Sequence, residues 1–193
     1  MIFGVTGGTG CGKTTFLKQA QTLGAVILDC DAMYHRLLRQ DPQLLAAIEA
    51  AFPNTVENGV LQREKLGKLV FADEAALKKL NAVTHGAVKA EVLRILREKP
   101  KFAVIDAIAL FESGLNSFCD ITVAVTAPIE QRLQRLMLRD GISHSYAQSR
   151  IDAQKNEEWY AQKCDYVLQN DKDEKAFEKK CLAFLRQFDI MNI

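Results

Sequence analysis

The 193-residue sequence has little that would place it outside ordinary globular proteins. Its five cysteines, at 11, 30, 119, 164 and 181, are odd in number and form no CxxC pair, and its three histidines are too scattered to complete a zinc set. This excludes a disulfide scaffold and fits reduced thiols in a cytosol. No stretch approaches the run of about 18 apolar residues that a membrane span needs. Met1 to Thr6 carries neither a basic leader nor a small-residue cleavage site. Together these absences read as a cytoplasmic protein with no membrane partner. Neither sign of charge dominates: 25 Lys+Arg stand against 24 Asp+Glu, a formal net charge of +1. With no global field to recruit nucleic acid, an anionic ligand has to be held by a local cluster. Internal repeats, low-complexity tracts and Pro- or Gly-rich linkers are also missing, which argues against a separate second domain.

What is present begins with short apolar runs rich in Val, Ile or Phe: Ile2 to Thr6, Ala25 to Leu28, Phe102 to Ile105 and Ile121 to Val125, with Tyr166 to Leu168 as a weaker fifth. Helical periodicity fills the intervals, as in Phe16, Leu17, Ala20 and Leu23, in Leu80, Thr84, Val88, Val92 and Leu96, and in Phe177, Cys181, Phe184, Leu185 and Phe188. Strands alternating with helices predict an α/β fold, a doubly wound parallel sheet in three layers. The 71 residues from Asp31 to Lys101 exceed any single crossover and read as almost wholly helical. They are expected to form an insertion covering the sheet's carboxyl edge and lining an acceptor pocket.

Gly7-Gly8-Thr9-Gly10-Cys11-Gly12-Lys13-Thr14 matches GxxxxGK[ST] and joins the first strand to the first helix. Glycines let consecutive amides turn toward one phosphate chain, and the helix N-terminus adds its positive end. The pattern arises by chance in below ~1% of chains this long. Gly8 to Thr15 are therefore the expected ATP-binding residues, with Lys13 on the β- and γ-phosphates and the Thr14 hydroxyl on Mg²⁺. Cys11, at a helix N-terminus, is expected to have a lowered thiol pKa and to block nucleotide binding when oxidised.

Ligands of open α/β sheets sit beyond the carboxyl ends of the strands. Asp29 and Asp31 follow the second strand and Asp106 ends the third. Asp31 is the expected base for an acceptor hydroxyl, though it also stands where an N-cap for the helix 32–39 would. Asp29 reads as structural, and Asp106 as a magnesium or acceptor-site carboxylate. From Arg132 to Lys155 five cations (Arg132, Arg135, Arg139, Arg150, Lys155) face only Asp140 and Asp152. A segment so basic can close over triphosphate, neutralise developing charge and exclude water. Trp159 and Tyr160 read as packing residues rather than a base-stacking pair. The loop, a strand-two carboxylate and an arginine lid describe a phosphate-loop kinase of a nucleoside, nucleotide or small alcohol. An ATPase or switch module is the other reading, disfavoured because no Asn-Lys-x-Asp segment and no acidic pair closing the third strand occur.

Taken together the motifs resemble the dephospho-coenzyme A kinase family over nearly the whole chain. Thr6 to Thr14 is similar to that family's TGGIGSGKS, and Asp29-Cys30-Asp31 with His35 to its DAD segment and following histidine. Leu66 to Asp73, then Leu77, Leu80, Asn81, Val83 and His85, resemble the helical insertion; Asp106 to Glu112 resembles DxPLLFE. Arg135 to Gly141 with Arg150, Ile151 and Gln154 looks like the lid, and Cys164 to Asn170 like the terminal ADYVIdN. The resemblance implies a phosphate-loop, nucleotide-kinase-like fold that carries the γ-phosphate of ATP to the 3′-hydroxyl of a small-molecule substrate, dephospho-coenzyme A. It implies one kinase domain over 1–193, with core 1–30, 102–138 and 164–193, acceptor insertion 31–101 and lid 139–163. It also implies Asp31 as base, Arg139 as a lid contact to ATP alongside Arg135, Asn170 near adenine, and His85, Asp106 and Arg150 in the acceptor site. Three departures stand out: Cys11 for serine, Gly86 for a proline, and Ile108-Ala109 for Pro-Leu. Fewer prolines predict a less rigid acceptor wall.

Overall fold

The structure is a computed structural model describing residues 1–71 and 73–188. Ala72, within the Leu66-to-Asp73 motif, and residues 189–193, the end of the expected core segment, lie outside the described residues. The chain divides into two compact units, Met1–Leu28 with Pro100–Ile193, and Asp29–Lys99.

The first unit is built on β1 (Ile2–Thr6), β2 (Val26–Asp29), β5 (Ala103–Asp106), β6 (Ile121–Thr126) and β7 (Tyr166–Gln169), in the order β2-β5-β1-β6-β7. The order makes β1 central, with β5 and β6 its parallel neighbours, and β7 runs parallel to β6. All five expected strands form, with ends shifted by at most one residue. The fold is the three-layer parallel sheet that the alternation predicts. Successive strand residues face opposite sides. Phe3 and Val5, Phe102 and Val104, Val123 and Val125 share one core with Phe16 and Ala20 of α1 (Lys13–Thr22) and Phe177, Cys181, Phe184 and Leu185 of α9 (Glu174–Arg186). Gly4 faces the other side, where a Cβ would lie 2.6 Å from Cys119 Sγ and 2.9 Å from Leu110, so that face is covered as tightly. The remaining α-helices of this unit are α6 (Ile129–Asp140), α7 (His144–Asp152) and α8 (Glu157–Lys163), and a short 3-10 turn spans Leu115–Phe118.

The second unit carries α2 (Cys30–Gln40), α3 (Pro42–Ala51), α4 (Arg63–Phe71) and α5 (Glu74–Leu96) around Leu38, Leu44, Ile48, Phe52, Leu66, Val70 and Leu80. The expectation of an almost wholly helical 31–101 needs correction. A hairpin of β3 (Val56–Glu57) and β4 (Val60–Leu61) interrupts it. Asn58 (φ 50°) and Gly59 (φ 75°) both adopt the left-handed conformation that a two-residue hairpin turn requires, which overrides the helical surroundings. Glu49 fixes the approach by accepting the amides of Asn54, Thr55 and Val56.

The edge of the first unit's sheet is clipped by one carboxylate. Asp165 Oδ2 accepts both the amide (2.8 Å) and the hydroxyl (2.7 Å) of Thr122, at the start of β6. These bonds, the hydroxyl first, hold the Asp165 carboxyl below its ordinary pKa against a smaller opposing desolvation. A lowered folded-state pKa means that the stabilisation is complete above the unfolded value of about 3.9 and is lost as pH falls through the folded value. Asp165→Asn should lower stability by about 1 kcal/mol at pH 7, an amount kept small by solvent screening at this exposed group. In urea melts the gap from wild type should narrow below about pH 4; a gap independent of pH would show that charge is not what the clip uses.

Candidate active site

The central strand delivers the chain into Gly7–Thr14, and the main-chain geometry of that loop follows from what holds its carbonyls. Gly7 O accepts from Lys13 Nζ (3.1 Å), Gly8 O from the Cys11 amide (3.3 Å) and Gly12 O from the Thr15 amide (3.0 Å). The rest are taken by side chains from distant elements. Arg132 Nε donates to Thr9 O (2.9 Å), Arg135 Nη1 to Gly10 O (3.2 Å) and Cys11 O (3.4 Å), and Asn170 Nδ2 to Cys11 O (2.9 Å). In a trans peptide the N–H points opposite to the C=O. Carbonyls drawn toward α6 and the end of β7 therefore turn the Gly10 and Gly12 amides the other way, the arrangement of an anion nest. Gly12 caps α1 without a side chain, leaving the helix's leading amides to a ligand.

Two glycines are required for different reasons. Gly12 has φ 103°, and a Cβ there would meet Asn170 Nδ2 at 2.3 Å. Gly8 has no left-handed backbone, yet a Cβ would lie 2.3 Å from Arg132 Nη2 and 3.2 Å from Gln154 Oε1. Arg132 cannot swing aside cheaply because it is 3% exposed, bonded to Thr9 O and 3.8 Å from the Glu157 carboxylate.

Cys11 corrects an expectation. The thiol is buried, and desolvation raises its pKa in spite of Lys13 and Arg132 nearby, so the helix N-terminus does not make it a reactive thiolate. Thr14 is exposed at the second position of α1, with Thr15 half-buried after it. Asp106 ends β5 opposite Val5 in the register, beside the loop's origin. One hydroxyl and one carboxylate suit Mg²⁺, which keeps several waters and draws other ligands from phosphate. A dedicated cage of three or more His, Cys, Asp or Glu groups does not occur among the described residues.

Arg139 and Arg150 lie at a second cluster. Asp140 accepts from Arg139 Nε (2.7 Å) and Nη2 (2.9 Å) and from Arg150 Nη1 (2.6 Å). The two guanidiniums, Arg139 first, depress the Asp140 carboxyl, and Asp140 in turn raises Arg139. Asp31 and His85 belong to the Asp29–Lys99 unit, Asp31 exposed in the first turn of α2 and His85 half-buried on α5, the helix that α2 packs against. The N-cap of α2 is Asp29, whose carboxylate accepts the Ala32 amide at 2.8 Å, because the helix begins at Cys30. Asp31 is thus released from the capping role. The helix α5 runs unbroken through Gly86, where a proline would remove an amide, and Ile108 O accepts the Thr6 hydroxyl at 3.0 Å. Trp159 packs edge-on against Phe111 and Tyr160, in keeping with a packing role.

Arg132 and Gln154 are the residues against the phosphate loop whose contacts a reading by charge and motif underrates. Arg132 reads as one cation of the basic segment that closes over triphosphate, whereas it is the most buried of them and holds the loop's backbone; its i, i+3 spacing to Arg135 places the two on one helix face. Gly8→Ala, which needs no unusual φ, should cost about 1–3 kcal/mol by overpacking against Arg132. It should also weaken nucleotide binding, and a thermal melt and calorimetric titration with ATP that match wild type would show that Arg132 yields freely.

A family model described as dephospho-CoA kinase matches residues 1–176. The curated dephospho-CoA kinase of Geobacillus kaustophilus is 34% identical over 197 residues, covering 99% of this chain and 98% of the relative. Among solved structures, a Thermus thermophilus protein superposes with a TM-score of 0.80 at 32% identity, covering 97% of each chain. Dephospho-CoA kinase from Campylobacter jejuni superposes with a TM-score of 0.70 at 28% identity, covering 100% of this chain and 98% of that one. A match of this extent, on a chain whose phosphate loop is braced at every carbonyl from Gly7 to Gly12, places the protein in the dephospho-CoA kinase family.

Proposed function

We propose that the protein transfers the γ-phosphoryl group of ATP to the 3′-hydroxyl of dephospho-coenzyme A, giving coenzyme A and ADP, as one cytoplasmic kinase domain with no nucleic-acid or membrane partner. The observation that carries this reading is the braced loop Gly7–Thr14 in a chain of this family. The phosphoryl transition state is loose, so most of the catalysis is positioning and electrostatics. Gly8 to Thr15 hold the triphosphate, with the Lys13 ammonium on the β- and γ-oxygens. Mg²⁺, when bound by the Thr14 hydroxyl and aided by Asp106, supplies further neutralisation of those oxygens. Arg135 and Asn170 contact ATP, Asn170 near the adenine, and both also brace the loop through the carbonyls that they hold.

In this mechanism Asp31 orients the 3′-hydroxyl and accepts its proton, free of the capping duty that Asp29 performs. Arg139 and Arg150, both engaged by Asp140, supply cations to the donor and acceptor phosphates respectively. His85 and Asp106 complete the acceptor site. The cations suit shielding the transferred group from water rather than activating water.

A product assay with ATP, Mg²⁺ and a panel of acceptors should give 3′-phosphorylated product, detectable by mass spectrometry, from dephospho-coenzyme A alone. Phosphorylation of a nucleoside but not of dephospho-coenzyme A would replace this reading with that of another small-molecule kinase. Lys13→Ala should abolish transfer. Asp31→Asn should leave ATP affinity intact and cut kcat by about 10² or more; a variant that only melts earlier, with kcat unchanged, would return Asp31 to a structural role.

A further inference from the structure

Gln154, in the turn between α7 and α8, touches the phosphate loop from outside α6. Its Oε1 accepts the Thr9 amide at 2.7 Å, the shortest of the side-chain contacts to this loop. Thr9 is 8% exposed, and its carbonyl is held on the other side by the buried Arg132. Both main-chain groups of one residue are thus taken by side chains from two different elements.

The direction of the Gly8–Thr9 peptide depends on this contact. With its N–H on Gln154, its C=O is turned to the Cys11 amide (3.3 Å). A half-turn of this peptide would break the Gly8–Cys11 bond, aim the Gly8 carbonyl at the Gln154 oxygen, two acceptors facing each other, and take the Thr9 amide from its acceptor. The angles that such a turn changes are Gly8 ψ and Thr9 φ, and Gly8, having no Cβ, offers little resistance on its side. Arg132 restrains only the next peptide, the one that carries the Thr9 carbonyl. The peptide before it is fixed by the longer Cys11 amide bond to its carbonyl and by the shorter Gln154 contact to its N–H.

We infer that Gln154 is a positioning residue of the phosphate loop, an acceptor that holds the Gly8–Thr9 peptide in its nucleotide-binding orientation and ties that orientation to the placement of the α7–α8 turn. The inference rests on reading Gly7–Thr14 as the triphosphate cradle, but not on the identity of the acceptor substrate. Glu157 supports the same turn: its carboxylate accepts the Ala127 amide at 2.8 Å and lies 3.8 Å from Arg132. The 139–163 segment therefore meets the loop region at two fixed points, one on the nest and one on its buried cation.

The test compares Gln154→Met, which keeps length but loses the acceptor, with Gln154→Glu, which keeps an acceptor oxygen within reach. Thr9 amide hydrogen exchange is followed by NMR in the protein without nucleotide, and ATP affinity is measured by calorimetry without any acceptor substrate. Loss of one hydrogen bond to a buried amide predicts a rise in the ATP Kd of about tenfold in Gln154→Met. Thr9 exchange should accelerate by at least about tenfold in the same variant, with the melting transition preserved, whereas Gln154→Glu should keep Thr9 protected. Wild-type ATP affinity in Gln154→Met, or weakened affinity with Thr9 exchange unaltered, overturns the proposal, and so does equal loss of protection in both variants. Should Gln154→Met not fold, Thr9 protection in Gln154→Glu decides alone. Wild-type protein that binds ATP but does not phosphorylate dephospho-coenzyme A would refute the acceptor reading and leave this one standing.

Discussion

A glycine-rich backbone can present amides to a triphosphate only if its carbonyls are committed elsewhere, since each peptide unit carries both groups in opposite directions. In this protein that constraint organises the first unit. Six consecutive carbonyls, Gly7 to Gly12, are each taken by a donor, and three of the donors are side chains more than a hundred residues away in sequence: Arg132, Arg135 and Asn170. The sheet order explains how they arrive there. With β1 central and β6 and β7 beyond it on one side, the helix after β6 and the residue after β7 both reach the loop's outer surface. The site therefore depends on long-range topology, although its recognisable motif is only eight residues long.

Arg132 shows what such bracing demands. A buried guanidinium is costly unless paired, and here the pairing is partial: one bond to Thr9 O, a carboxylate at 3.8 Å, and an Nη2 without a hydrogen-bond partner among the described residues. Its retention is hard to explain by stability alone, because an apolar side chain of similar volume would avoid the desolvation. The explanation lies in the geometry that it imposes, which extends to the choice of glycine at position 8.

Much of this was legible in the sequence, and the limits have physical causes. Apolar runs bounded by turns located all five strands, because a strand buried on both faces leaves a local signal. The phosphate loop was equally plain, since glycine spacing is local too. The hairpin at 56–61 was missed although Asn58-Gly59 advertises it, for its strands are too short to build a period-2 pattern and helices flank it on both sides. The assignment of the α2 cap between Asp29 and Asp31 turned on a helix boundary two residues earlier than periodicity suggested, the scale on which helix ends are poorly encoded. For Cys11 the helix-terminal position is visible in the sequence and the burial that outweighs it is not. The positions of Arg132 and Gln154 are legible in the basic segment and the lid motif, but their contacts are not: whether a charged or amide side chain faces water or backbone is settled by tertiary contacts.

The overall charge balance also acquires a structural meaning. The cations between 132 and 155 are not one basic patch but two populations with different energetics. Arg132 is buried and Arg135 half-buried, and both are bonded to backbone, so they contribute a fixed field and fixed geometry to the loop. Arg139 is 60% exposed and shares Asp140 with Arg150, in ion pairs of the kind that high-dielectric surroundings make weak. Exchanging the Asp140 contacts for phosphate oxygens would then cost little, while moving Arg132 would dismantle the nest. In a near-neutral chain, burial rather than charge thus separates the arginine that fixes the loop's geometry from those whose ion pairs water weakens.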